Sequence, residues 1–195
     1  MKKLRLLAIV LAVLMLLSAC AKTEVSTVTQ TTAEAETTVS ATEAETVQDD
    51  TDYRVSFSTV DLDGNPVDSS VFADAEYTMI NIWASYCAPC IGEMDELMQM
   101  DAELENVQII TVLSDALSTE DEAAEDAREI VKTLNFTLPV YLINEEIYTQ
   151  LPCNAVPTSF LVDREGNAMK YMCVGAVGVE QYKQWIQSCI DSQGD

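Results

Sequence analysis

Two cysteines two residues apart, Cys87-Ala-Pro-Cys90, stand where an apolar, β-forming run gives way to a helical pattern. The run Tyr77-Thr-Met-Ile-Asn-Ile-Trp-Ala84 is short and mostly apolar, as a central strand buried on both faces requires. Beyond it, Ile91, Met94, Leu97 and Met98 form a stripe at helical spacing, which predicts a helix over about residues 89–104. A Cys-x-x-Cys at such a junction places its first thiol at a helix N-terminus. Unpaired backbone N–H groups and the helix dipole there favour the thiolate. Pro89 suits the first helical turn, where its missing N–H costs nothing. Cys87 is then the exposed attacking thiol, and Cys90 the shielded one that closes the internal disulfide. The same spacing also occurs in zinc ribbons; the strand–Trp83–helix setting points to redox chemistry instead.

The chain contains no histidine. That removes Cys-His and Ser-His nucleophile pairs, imidazole proton shuttles and every histidine-containing metal site. Chemistry must come from cysteine, carboxylate, hydroxyl or backbone groups.

Periodicity elsewhere gives strands over residues 53–60, 107–113, 138–143, 158–162 and 168–174. It gives helices over about residues 118–134, 145–151 and 179–192. Asp61-Leu-Asp-Gly-Asn-Pro66 and Asp163-Arg-Glu-Gly-Asn167 read as turns. Strands alternating with helices and ending in a hairpin predict an α/β sandwich around a mixed sheet, preceded by an added N-terminal hairpin.

The start of the chain has a different character. Residues 1–19 combine a basic beginning, a short apolar stretch and small residues, the pattern of a secretory signal. Leu17-Ser-Ala-Cys20 resembles the lipobox of bacterial lipoproteins, which implies a lipidated Cys20 as mature N-terminus. Two acyl chains would anchor it stably on the extracytoplasmic face of the bacterial membrane. Residues 20–52 are rich in Thr, Ala and Glu and lack aromatic, Leu and Gly residues, so they read as a lipidated, disordered acidic tether, with helix as the competing reading. Residues 53–195 are one domain by length, carrying 25 acidic and 6 basic residues. Such acidity excludes nucleic acid as a partner, since phosphate neutralisation needs Lys and Arg.

With these pieces in hand, the sequence resembles the thioredoxin superfamily, and within it the TlpA/ResA-like extracytoplasmic thiol–disulfide oxidoreductases. The resemblance covers about residues 55–190. It rests on Trp83-Ala-x-x-Cys87-x-Pro-Cys90, on Glu93, on Val156-Pro157-Thr158 and on Phe160-Leu-Val-Asp163-x-x-Gly166. It implies a thioredoxin-like sandwich with a cis proline at Pro157 facing the dithiol. Val156, Pro157 and Thr158, together with Trp83, Tyr86 and Pro89, become the substrate-binding surface. Glu93 becomes the proton carrier beside the sulfurs, catalytic with Cys87 and Cys90. A carboxylate is the obvious base where histidine is absent; the alternative is a helix-face Glu gaining about a few tenths of a kcal/mol from the dipole.

Two departures stand out. Asn81 occupies the place of thioredoxin's buried, titrating Asp, which shifts proton handling toward Glu93. Relatives often carry a kinking proline soon after the Glu, and this chain has Met94-Asp95 in its place.

The resemblance further implies clients that are exported proteins with disulfides, and a membrane electron donor of the CcdA type. No cofactor beyond the Cys87–Cys90 pair and no metal is expected. The pair lacks the histidine of strongly oxidising relatives, so the expected direction is reduction. A disulfide-forming oxidant, a copper- or zinc-binding module and a peroxidase are the alternatives. Cys173 and Cys189 read as core filler or as a bridge, and Cys153 as structural or as an accessory redox thiol.

Overall fold

A computed structural model describes residues 53–194. The expectations for the signal, for Cys20 and for the tether lie outside the described residues.

The chain enters along the turn at Asp163–Asn167, with Val55 N–H donating to the Gly166 carbonyl and Ala168 N–H to that of Tyr53. A small antiparallel pair follows, β1 (Ser58–Val60) and β2 (Pro66–Asp68), leading into a 3-10 turn at Ser69–Asp74. Next come β3 (Tyr77–Trp83), α1 (Ala88–Gly92), α2 (Met94–Glu103) and β4 (Val107–Leu113). The chain continues through α3 (Ala116–Leu134), β5 (Val140–Leu142) and α4 (Glu145–Gln150). It finishes with β6 (Thr158–Asp163), β7 (Cys173–Val174) and α5 (Val179–Asp191).

The main sheet has the order β5-β4-β3-β6-β7. Its β5, β4 and β3 run parallel, while β6 and β7 are antiparallel additions. β3 is central and six of its seven residues are buried. A strand with a neighbour on each side and helices over its faces has no solvent side, hence its nearly continuous apolar sequence. Phe57 and Phe72 meet edge-on beneath the N-terminal hairpin, with ring centroids 5.6 Å apart.

Three expectations are corrected. The strand foreseen at residues 53–60 is split: Arg54 bridges to Asn167, and only Ser58–Val60 pairs in β1. Its alternation survives, for Val55 and Phe57 are buried and Arg54 and Ser56 exposed, but two different partners divide the backbone bonds.

The strand foreseen at residues 168–174 shrinks to Cys173–Val174. Ala168 pairs with Val162 and Cys173 with Ser159, so the returning chain takes five residues where β6 takes three. The two surplus residues bulge out and interrupt the ladder.

The predicted helix over 89–104 is broken at Glu93, which caps α1 and begins α2 with φ −92° and ψ −5°. The kink forms without proline. Gly92, with its weak helix preference, sits at the break, where the Glu93 side chain is drawn inward.

Candidate active site

Cys87 and Cys90 form a disulfide, with Cα atoms 5.3 Å apart. Cys87 is the N-cap of α1, and the Cys90 N–H donates to its sulfur at 3.2 Å. The helix start therefore directs a backbone donor at the Cys87 sulfur. The approach loop is pinned: Cys87 N–H bonds the Ala84 carbonyl, and the Ser85 backbone N–H and hydroxyl both donate to Asp115. Ser114 adds a bond from its hydroxyl to the Trp83 carbonyl at 2.8 Å.

Cys87 is less open than expected, at 6% exposed, though still more so than Cys90 at 1%. Its cover is the loop bearing the cis Val156–Pro157 bond. The Cys87 sulfur lies 3.7 Å from the Val156 carbonyl oxygen, within reach of a thiol donor once the pair is reduced. That loop is shaped from within, because the Ala155 carbonyl accepts both the Thr158 hydroxyl and the Cys153 thiol.

The residues expected to line a substrate surface divide into two groups. Tyr86 (77% exposed), Pro89 and half-buried Val156 surround the disulfide at the surface. Pro157 and Thr158 are buried, and Trp83 lies in the core at 1% exposed. Trp83, Pro157 and Thr158 therefore lie beneath the surface that Tyr86, Pro89 and Val156 present. As the last residue of the central strand, Trp83 pairs with Leu113 and is enclosed by sheet and helices.

Glu93 is 3% exposed, and three donors meet its carboxylate. Asn81 Nδ2 donates to Oε1 at 3.0 Å, the Tyr182 hydroxyl to Oε2 at 3.0 Å, and the Val177 backbone N–H also bonds it. Burial outweighs these donors and, with a smaller contribution from Glu96, raises its pKa from 4.5 to about 7. A group that is half ionised near neutrality suits proton exchange with a thiol. A pocket of about 230 Å³ reaches it from solvent, lined in part by Pro89, Gly92, Glu96 and Val177.

Asn81 also donates to Ser159 Oγ at 3.1 Å, so the residue that replaces a titrating Asp orients the carboxylate that remains. Asn81, Ser159 and Tyr182 were not foreseen as site residues. The available signal was polarity: Asn81 and Ser159 interrupt otherwise apolar strands, and a buried polar side chain needs a partner. Tyr182 gave no such signal, because its spacing fits an ordinary core position on α5.

The three other cysteines are free: Cys189 is buried, and Cys153 and Cys173 are partly so. Burial, aided by the Glu93 charge, pushes the Cys173 thiol up to about 11; burial, aided by Cys173, pushes Cys189 to about 12. No group of three or more His, Cys, Asp or Glu side chains able to hold a metal occurs among the described residues.

Comparison with known proteins agrees with this geometry. The family model described as AhpC/TSA matches residues 51–170. Sporulation thiol-disulfide oxidoreductase A of Bacillus subtilis is 26% identical over 123 residues, 62% of this chain and 72% of that protein. Thiol-disulfide oxidoreductase ResA of Bacillus cereus is 24% identical over 132 residues, 67% of this chain and 73% of the relative. Among solved structures, the exposed lipoprotein thioredoxin Etrx1 of Streptococcus pneumoniae superposes with TM-score 0.58 at 20% identity. That match covers 69% of this chain and 99% of the other. The chain belongs to the AhpC/TSA family, within which its Cys87–Cys90 disulfide makes it a thioredoxin-like thiol–disulfide oxidoreductase.

Proposed function

We propose that this protein is anchored through Cys20 to the extracytoplasmic face of a bacterial membrane and reduces disulfides in exported proteins. The observation carrying the redox part is the Cys87 sulfur at the head of α1, 3.7 Å from the Val156 carbonyl beside the cis proline. Support for the anchor is the Leu17-Ser-Ala-Cys20 box after a basic and apolar leader, and the description of Etrx1 as an exposed lipoprotein.

The cycle proposed for the pair is a double thiol–disulfide exchange. The Cys87 thiolate attacks one sulfur of a client disulfide, and the other client sulfur leaves as a thiolate that takes a proton from water. Cys90 then gives its proton to Glu93 and attacks the Cys87 sulfur. The internal disulfide closes, the second client sulfur is released, and two electrons have passed to the client. Tyr86, Pro89 and Val156 form the rim against which the client chain lies. A membrane dithiol donor of the CcdA type returns the pair to its reduced form, and no other cofactor takes part.

The test is the reduction potential of the Cys87–Cys90 pair, measured by equilibration in dithiothreitol or glutathione buffers. A value below about −220 mV supports an electron-fed reductase. A value above about −180 mV overturns that direction and makes the protein a disulfide-forming oxidant. Labelling with a radioactive fatty acid tests the anchor: incorporation is expected in the parent and lost in Cys20→Ser.

The AhpC/TSA family match favours a second reading, peroxide reduction at a single cysteine. Rapid peroxide consumption that persists in Cys90→Ser would establish it. The pairing of Cys87 with Cys90 argues for dithiol exchange instead.

A further inference from the structure

Tyr182 lies on α5, beyond the residues matched by the family model, and is 1% exposed. A tyrosine so deeply buried must find a partner for its hydroxyl. Its partner is the Glu93 carboxylate, 89 positions away in the chain and 3.0 Å away in space.

Two neutral side-chain donors approach the carboxylate, one on each oxygen. Asn81 uses one amide hydrogen on Glu93 Oε1 and the other on Ser159 Oγ. The Tyr182 hydroxyl donates to Glu93 Oε2. As a carboxylate, Glu93 accepts from both. A proton placed on Oε2 in line with the Tyr182 hydroxyl gives two donors facing each other, and one of them must turn away. The arrangement therefore favours the charged form, and Tyr182 is the member that touches the oxygen Asn81 does not.

We propose that Tyr182 is a positioning residue for Glu93, fixing the plane of its carboxylate at the break between α1 and α2 and supporting its charged form. The catalytic meaning of this rests on Glu93 acting as the proton acceptor for Cys90.

The surroundings leave this task to neutral donors. The titratable groups near Glu93 are Glu96 on its own helix, Tyr182 on α5, Cys173 on β7 and the Cys87–Cys90 pair at α1. Asn81 from β3 and Ser159 from β6 do not titrate. No Lys or Arg bonds this carboxylate among the described residues; Lys183, the next residue along α5, pairs with Glu103 and Glu180. With every charged neighbour anionic or neutral, hydrogen bonds are what offset the burial of a negative charge here.

The experiment compares the full chain with Tyr182→Phe, which keeps the ring and removes only the donor. The Glu93 carboxyl is titrated directly in the oxidised protein, from its carbon-13 chemical shift against pH. The midpoint is expected to rise by about one pH unit, a tenfold loss of ionised form at a fixed pH below it. The midpoint for client-disulfide reduction is expected to rise with it. Introducing Glu93→Gln into both proteins is expected to erase the difference between the parent and Tyr182→Phe. An unmoved carboxyl titration in a folded Tyr182→Phe protein overturns the proposal. Should Tyr182→Phe fail to fold, the ring carbon-13 shift of Tyr182 is followed against pH in the parent instead. It is expected to step at the midpoint of the Glu93 carboxyl, and a ring signal that ignores that midpoint overturns the proposal. If the titration moves and the rate profile does not follow, the positioning stands and the base role of Glu93 falls.

Discussion

Cys87 and Cys189 carry the same side chain and are both shielded from solvent, yet the fold prepares them for opposite fates. Cys87 caps a helix, receives a backbone N–H on its sulfur and lies against the Val156 carbonyl. Cys189 sits within α5, pointed at the Tyr171 carbonyl 3.6 Å away, with burial holding its thiol near 12. Accessibility numbers hardly separate them. Both sulfurs face a backbone carbonyl; what differs is the backbone N–H that Cys87 receives at the head of a helix. Reactivity is therefore expected to follow the dipoles around a thiol more closely than its exposure.

The strongest way to break that comparison is substitution. Cys87→Ser is expected to lower disulfide reduction on the order of a thousandfold, because no second nucleophile can take its place. Cys189→Ser is expected to stay within about twofold at temperatures where it is folded. Insulin reduction with dithiothreitol measures both, and a comparable loss in the two variants would undo the contrast.

Alkylation sharpens it. At pH 7 a thiol with pKa 12 is ionised to about one part in 10⁵ and one with pKa 11 to about one in 10⁴. In the reduced native protein, iodoacetamide is expected to modify Cys87 at least about a hundredfold faster than Cys173 or Cys189. Mass mapping of peptides over time gives the order directly.

Glu93 extends the same logic from thiol to carboxyl. Its pKa is about 7 in the folded chain against 4.5 when solvated, so between those values the native state holds the proton the unfolded state releases. Stability from this group is complete below about pH 4.5 and declines as pH rises through 7, by about 3 kcal/mol in total. Glu93→Gln, a mimic of the protonated form, is expected to flatten that decline and to be more stable than the parent at about pH 8. Urea titrations at about pH 5 and pH 8 decide the point; a parent that gains stability across this interval would show that burial does not dominate.

The smallest effect concerns packing. Cys189→Ala is expected to cost about 1 kcal/mol, since the sulfur fills core space beneath the sheet. Cys153→Ala, at a partly exposed loop site, is expected to cost about half of that or less. Thermal melts of the two variants rank them.

Much of this was readable along the chain because it depends on neighbours in sequence. The turns Asp61-Leu-Asp-Gly64-Asn65 and Asp163-Arg-Glu-Gly166-Asn167 form with the same bonds, each Asp carboxylate accepting its Asn backbone N–H and side-chain amide. Both glycines take positive φ, 82° and 87°. Their surroundings are a different matter. A Cβ on Gly64 would meet open space, whereas one on Gly166 would stand 2.6 Å from the Val55 carbonyl oxygen. Nothing in the local motif distinguishes them, because Val55 arrives from the far end of the domain.

The active site divides along the same line. Cys87, Cys90 and Pro89 are fixed by a junction of strand and helix, a local event governed by periodicity and capping, and their chemistry could be read from spacing. The kink at Glu93, the enclosure of Trp83 and Thr158, and the bonds linking Glu93 with Asn81 and Tyr182 and Asn81 with Ser159 join β3, α2, β6 and α5. Those contacts exist only after the sheet is assembled and a helix is laid across it. The sequence by itself determined which atoms can exchange electrons, since thiol chemistry belongs to the residue and its cap. The tertiary structure alone decided the ionisation of Glu93, because that of a buried carboxylate is set by dehydration and by donors that distant segments supply.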